Sequence, residues 1–252
     1  NTRAAFHEAE RRGLPLWGAA PDVVARVHDK AFAARVAREH RVDGTDDPLA
    51  PLVTVVDAPV DAPVDAAVIA NVVAAWPAWA RARFTVKPRF GTSGRGRVPG
   101  VNGHAPVKPT SFPDGAVIEP WLARLDDLSS LWFVDDDDVS LLGSTAQIVG
   151  GAGSYRGCTV VGGRSGLAVD DEAVARARVV VEAAQAAGYR GPCGVDAFTY
   201  AHDGRERLRS LVELNARFTA GHVALALAAA RRAPRVRFSF AVGASMWTAD
   251  PC

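Results

Sequence analysis

The stretch that most constrains this chain is a strand running into glycines. Arg83-Phe84-Thr85-Val86-Lys87-Pro88 is rich in strand-forming residues, and Gly91-Thr92-Ser93-Gly94-Arg95-Gly96-Arg97 follows almost at once. Such a loop offers successive backbone N–H groups with little side-chain obstruction, an arrangement that can cradle phosphate oxygens. Lys87, four residues upstream of the first of these glycines, would bring an ammonium to the same phosphates. A surface hairpin turn is the alternative reading. No G-K-[ST] closes the loop, so it is not a Walker A loop. No helix clearly follows it, so it is not a dinucleotide fingerprint either.

Helices and strands alternate unevenly around this stretch. Residues 2–12 read as a helix stopped by Gly13, and Leu14 to Trp17 as an extended segment. A second helix starts at Pro21-Asp22 and runs at helical spacing to about His40. Leu52 to Val56 is a short strand, and Val56 to Asp65 repeats V-D-A-P as a connection. Residues 66–80 read as an apolar helix that Pro77 kinks or ends, and residues 98–115 as loop. Ala116 to Leu122, and residues 131–134, 139–149 and 158–162, read as strands. Asp170 to Gly188 is an amphipathic helix with acidic residues in its first turn. Gly194–Tyr200 and Leu208–Leu214 form a hairpin around His202-Asp203-Gly204. Ala220 to Arg231 is a helix and Val236 to Phe240 a last strand. Strands gathered in hairpins predict an α+β fold with largely antiparallel sheets, not a doubly wound parallel sheet.

Composition narrows the function. The 252 residues suffice for one large domain or two small ones, and a net charge of +1 draws the chain to neither nucleic acid nor acidic partners. The longest uncharged run, Ala66 to Ala80, contains Asn71 and Pro77 and falls short of a membrane span. Three widely spaced cysteines (Cys158, Cys193, Cys252) argue against a disulfide scaffold and for a reducing cytoplasm. Only three of the 29 basic residues are lysines: Lys30, Lys87 and Lys108. In a chain that uses Arg almost everywhere, a retained lysine points to a need for a compact ammonium. Lys108, in a Pro-rich loop, reads as merely exposed.

The second chemical constellation is acidic. Asp196 lies on one strand of the late hairpin; Glu213 and Asn215, two apart on the other, face one side of the sheet. Three oxygen donors converging across a hairpin suit Mg²⁺. A polar outer face is the alternative, but Val195, Phe198, Val212 and Leu214 surround the carboxylates, where unpaired charge is costly. Ile118-Glu119-Pro120-Trp121-Leu122 offers a strand-end carboxylate and an aromatic that can wall a purine pocket; a solvated Glu is the alternative. Asp135 to Asp138 reads as a solvated turn, His222 as a helix cap or core residue, and Cys193 as a small hydrophobe. Gln147 and Tyr155 are secondary candidates for lining a substrate side.

In order, these features resemble the ATP-grasp superfamily of ATP-dependent ligases: Asp29-Lys30, then the Lys87-Pro88 strand with its glycine loop, Glu119-Pro120-Trp121-Leu122, Gly194-Val195-Asp196 and Glu213-Leu214-Asn215-Ala216-Arg217. The resemblance spans about residues 14–231. It implies an ATP-grasp fold, two α+β subdomains with mostly antiparallel sheets gripping ATP between them. Lys30 and Lys87 would contact the ATP phosphates, and Thr92, Ser93, Gly94 and Gly96 would close over them as a lid. Glu119 would shape the adenine pocket, with the backbone of Pro120 and Leu122 on the adenine edge, and Asp126 would take the ribose hydroxyls, with Asp127 as its rival. Asp196, Glu213 and Asn215 would hold Mg²⁺, which Mn²⁺ could replace. Arg217 and Lys87 would be catalytic.

The resemblance further implies a cytoplasmic enzyme that joins a carboxylate to an amine through an acyl phosphate, with ATP and small molecules as partners and a homodimer as the candidate assembly. An amino acid or peptide-like substrate is expected; bicarbonate-dependent carboxylation, or nucleotide binding without ligase activity, are the alternatives. Such ligases carry a Rossmann-like domain of roughly a hundred residues before the Asp-Lys motif. Residues 1–28 are therefore expected to be its remnant and 29–252 the ATP-grasp domain, with a lid subdomain over about 81–120 and a catalytic subdomain over about 121–252.

Overall fold

The computed structural model describes residues 2–15, 18–58, 64–91, 94–106, 112–150, 153–240 and 247–251, the last five and residue 240 in their backbone. Leu16, Trp17, half of the V-D-A-P repeat (residues 59–63), Thr92, Ser93, Lys108 and Cys252 lie outside the described residues.

Helix α1 (Arg3–Arg12) is N-capped by Thr2 and stopped by Gly13. The helix expected over residues 21–40 is in fact two, α2 (Pro21–His28) and α3 (Lys30–Glu39). The break is physical: Asp29 is extended, and its carboxylate accepts the Ala31 N–H at 2.8 Å, so it caps a new helix. Lys30 is thereby placed in the first turn of α3.

A four-stranded antiparallel sheet follows. It is built from β1 (Thr54–Val56), β2 (Arg83–Pro88), β3 (Val98–Val101) and β4 (Ala116–Pro120), in the order β1-β4-β2-β3. β3 lies inside the stretch expected to be loop; its sequence, Val-Pro-Gly-Val, hides it, because Pro and Gly are depleted in strands. Helices α4 (Ala66–Ala74) and α5 (Ala78–Arg81), separated at Pro77, pack on this sheet. Its core includes Ile69, Val73, Trp76, Phe84, Val86 and Ile118.

The larger sheet runs β11-β10-β7-β6-β5-β8-β9, all antiparallel. Its strands are β5 (Arg124–Val134), β6 (Val139–Val149), β7 (Tyr155–Val161), β8 (Gly191–His202), β9 (Arg205–Asn215), β10 (Arg235–Phe240) and β11 (Trp247–Pro251). Helix α6 (Asp170–Ala186) and helix α3 bury Val180, Val181, Phe32 and Val36 against Trp132, Val195 and Leu214. Helix α7 (Ala220–Arg231) covers Cys158, Val160 and Phe238 through Ala224 and Ala228. The molecule is thus α+β, with two antiparallel sheets that each own a core. Among the described residues no helix is long and apolar enough to cross a membrane.

Candidate active site

The two sheets face one another across a cavity of about 420 Å³, within the range of small-molecule sites. Each wall carries what its strand phase allows. On the larger sheet Asp127 sits opposite Gln147, Ser129 opposite both Thr145 and Asp196, and Asp196 opposite Glu213. All six line the cavity. Of the two residues expected near a ribose, Asp127 lines the cavity, whereas Asp126 is exposed and absent from its wall.

The acidic end is tightly organised. Gln147 Nε2 donates to Asp196 Oδ1 and Asn215 Nδ2 to Asp196 Oδ2, both at 2.9 Å. Arg217 Nη2 donates to Asn215 Oδ1 at 3.0 Å. Burial, reinforced by the neighbouring Glu213 charge, pushes the Asp196 carboxyl up to about 6 despite hydrogen bonds from Ser129, Gln147 and Asn215. Glu213 Oε1 is ion-paired with Lys30 Nζ at 3.0 Å but is buried without a hydrogen bond, as is Arg217 Nε.

The residues fit a divalent cation. Two carboxylates stand opposite one another on paired strands, burial and then the Glu213 charge shift Asp196 toward protonation, and the buried Glu213 Oε1 has the Lys30 ion pair but no hydrogen bond. Among the described residues no group of three His, Cys, Asp or Glu side chains is placed to hold a metal. The oxygens that could hold one are those of the two carboxylates and the Asn215 amide, hard ligands of the kind Mg²⁺ takes.

The two lysines reach the cavity from different elements, Lys30 from α3 beside Glu213 and Lys87 from β2 of the smaller sheet. Lys30 Nζ also donates to Gly91 O at 3.1 Å, tying α3 to the start of the glycine loop. Lys87 is buried and ion-paired with Glu119, a diagonal neighbour on β4. Burial works upward on the Glu119 carboxyl, but Lys87 and the Arg209 and Arg124 charges outweigh it and hold the group below the usual carboxylate range. Gly91 and Gly94 line the cavity, and both have positive φ. Gly96 also has positive φ but lies off the wall. Thr92 and Ser93, the other expected lid contacts, lie outside the described residues.

Glu119 does not open on the main cavity. It lines a narrow adjoining slot with Ala33, Ala34, Val53, Val117 and Val212, which Lys30 and Lys87 border from both sides. Pro120 pairs with Phe84 in the sheet, and Leu122 packs on Leu49 and Phe198. Trp121 also lines the cavity, with Arg97 at 4.1 Å and Arg124 at 5.1 Å from its ring centre. Arg97 and Arg124 carried no sequence signal, because a lone Arg in a chain this rich in Arg looks generic.

At the far end Thr219, Ala220 and Gly221 bring the first turn of α7 to the wall. A Cβ at Gly221 would sit 2.8 Å from Leu131 Cδ1, so a larger residue there would have to push the buried Leu131 side chain aside. His222 closes a capping box with Thr219, its Nδ1 accepting the Thr219 N–H at 3.1 Å, and so acts as a cap.

The Asp196 geometry gives a pH prediction. Its folded-state value lies above the ordinary one, so between about pH 4 and pH 6 the metal-free fold binds more protons than the unfolded chain. Stability in EDTA should therefore fall as pH rises through that window. Mg²⁺, competing with that proton, should lose affinity about tenfold per pH unit below the Asp196 midpoint. Comparing unfolding of wild type and Asp196→Asn in EDTA at several pH values isolates the effect; an unchanged difference between them would contradict it.

No family model matches the sequence, and no curated protein matches it. Solved structures do. A protein from Archaeoglobus fulgidus assigned to the ATP-grasp superfamily aligns over 98% of this chain and 70% of its own, with TM-score 0.54 and 18% identity. Carboxyaminoimidazole ribonucleotide synthase from Aspergillus clavatus, complexed with ATP, aligns over 88% of this chain and 53% of its own, with TM-score 0.59 and 14% identity. The biotin carboxylase domain dimer of Hydrogenobacter thermophilus 2-oxoglutarate carboxylase, with magnesium ADP, ADP and bicarbonate, aligns over 88% and 46%, with TM-score 0.59 and 15% identity. The chain spans about half the length of these last two proteins. Two antiparallel sheets facing one another across the cavity agree with these alignments: the chain has the ATP-grasp fold.

Proposed function

We propose that the protein is an ATP-dependent ligase that activates a carboxylate as an acyl phosphate for attack by an amine. One observation carries the reading: Lys30 and Lys87 line the same cavity as Asp196, Glu213 and Asn215. Phosphoryl transfer needs positioning and cations more than a covalent nucleophile. Lys30 and Lys87 would hold the phosphates, and the backbone around Gly91 and Gly94 would close over them. The narrow slot that Glu119 and Arg209 line together with Ala33, Val53, Val117 and Val212 would take the adenine once opened, and Asp127 would take the ribose. Asp196, Glu213 and Asn215 would hold Mg²⁺, which when bound neutralises phosphate charge. The ATP-bound and magnesium ADP-bound neighbours support nucleotide binding at such a site.

In the first step a carboxylate oxygen of the substrate bonds to the γ-phosphorus as the bond to the β-phosphate oxygen breaks, releasing ADP. Arg217 and the first turn of α7 would face the charge that develops there. In the second step the amine nitrogen bonds to the acyl carbon, phosphate leaves with the bonding pair, and the amine loses its proton. A lid over residues 94–97, resting on Trp121 through Arg97, would keep water from the acyl phosphate.

The test is ADP formation with Mg²⁺ across amino acids, peptides, other carboxylates and bicarbonate, with hydroxylamine added to trap acyl phosphate as hydroxamate. ATP with Mg²⁺ should raise the melting temperature more than GTP does, and one carboxylate should give both ADP and hydroxamate. Equal shifts with every nucleotide, and no ADP with any acid, would overturn the proposal.

A further inference from the structure

The two lysines that face the cavity sit on different bodies. Lys30 opens α3, whose Phe32, Ala33, Val36 and Ala37 belong to the core of the larger sheet. Lys87 lies on β2, whose Phe84 and Val86 belong to the core of the smaller one. Neither core fixes the distance between the ammonium groups, so polar contacts across the junction must do so.

Beside the Lys30 Nζ bond to Gly91 O and the Arg38 Nη2 bond to Val53 O, these contacts gather at Arg89 and Asp29, neither of which lines the cavity. Arg89 Nε donates to Asp29 Oδ1 and Oδ2 at 3.0 and 3.1 Å, and its Nη2 pairs with Asp29 Oδ2. Its Nη1 reaches Asp57 Oδ1, just past β1, at 2.6 Å. The backbone repeats the tie, since the Lys30 N–H donates to Arg89 O at 3.1 Å. Room for the arginine stem comes from Gly115, at φ +98, where a Cβ would lie 2.9 Å from Arg89 Cδ and 2.5 Å from Val56 O. The arginine is two residues from Lys87, and its carboxylate partner is next to Lys30.

We infer that Arg89 is a positioning residue: by bracing Asp29 against the end of β2 it sets the spacing of Lys30 and Lys87, and so the grip on a triphosphate. The inference rests on the ligase reading above. Only a planar, forked cation can hold Asp29 through two nitrogens and reach Asp57 with the third. Lysine would keep the charge and lose the geometry. A displacement of about 1 Å at a positioned group can cost on the order of a hundredfold in function.

Arg89→Lys and Asp29→Asn are the variants of choice, the second because Asn still caps α3. Binding of ATP, tripolyphosphate and adenosine is measured by calorimetry, well below each variant's melting temperature. Both variants should bind ATP and tripolyphosphate about tenfold or more weakly, with adenosine changed by less than about twofold. Lower melting temperatures with unchanged tripolyphosphate affinity would overturn the inference, leaving a merely structural ion pair. Parallel losses for adenosine would overturn it too, because the damage would then be general. A wild type that binds neither ATP nor tripolyphosphate would instead overturn the ligase reading on which it rests.

Discussion

Lys87→Met is expected to abolish most triphosphate binding and also to destabilise the fold, and the two losses can be separated. Lys87 and Glu119 are buried together, with side chains 11% and 12% exposed. Removing either partner strands the other's charge, which typically costs about 3–5 kcal/mol when a buried pair is broken. Lys87→Met and Glu119→Gln should therefore both lower stability in denaturant unfolding, Glu119→Gln the less, since a neutral amide replaces the charge and Lys87 can turn to the cavity. Only Lys87→Met removes the ammonium. A charge-assisted hydrogen bond to phosphate contributes about 1.5–3 kcal/mol, so tripolyphosphate affinity should fall at least about tenfold in Lys87→Met and hold in Glu119→Gln. Equal losses in both variants would mean that Lys87 serves its ion pair and not a phosphate.

What was legible in the sequence had local causes. The β2 strand and its glycine loop were readable because alternation ends abruptly in glycines. The β8–β9 hairpin was readable from its Asp203-Gly204 turn, where both residues adopt positive φ. From that hairpin alternation places Asp196 and Glu213 on one face, but their direct opposition depends on a register shift between Asp196 and Phe198 that no sequence signal marks. The first half of β5 was not legible. Asp126, Asp127, Ser129 and Ser130 look unlike a strand, and Asp127 and Ser129 are polar residues that face the cavity. Losing that half-strand also lost its phase, and with it the choice between Asp126 and Asp127. The break at Asp29 carried an ordinary cap signal that the continuing apolar periodicity masked. The brace between Arg89 and Asp29, like the Trp121 contacts with Arg97, joins residues far apart in the chain, and no local pattern encodes such a pairing.

Glu213→Gln should remove Mg²⁺-dependent turnover while barely moving stability in EDTA. Two effects oppose each other in the metal-free protein. The variant loses the ion pair with Lys30, whose side chain is 9% exposed against 16% for Glu213. It also removes the like charge that helps hold Asp196 near 6. The net change should stay within about 1 kcal/mol, and the Asp196 midpoint should move down toward the ordinary carboxylate range. Turnover has no such compensation. A neutral amide cannot share a divalent cation with Asp196 as a carboxylate does, and loss of one preorganised electrostatic contact typically costs about 10²–10³ in rate. The measurements are unfolding in EDTA beside the Mg²⁺ dependence of ADP formation with the best acid from the panel. A variant that unfolds several kcal/mol more easily yet keeps its Mg²⁺ dependence would make Glu213 a structural partner of Lys30. The cation would then have to sit elsewhere, and the carboxylate pair could no longer support the ligase reading.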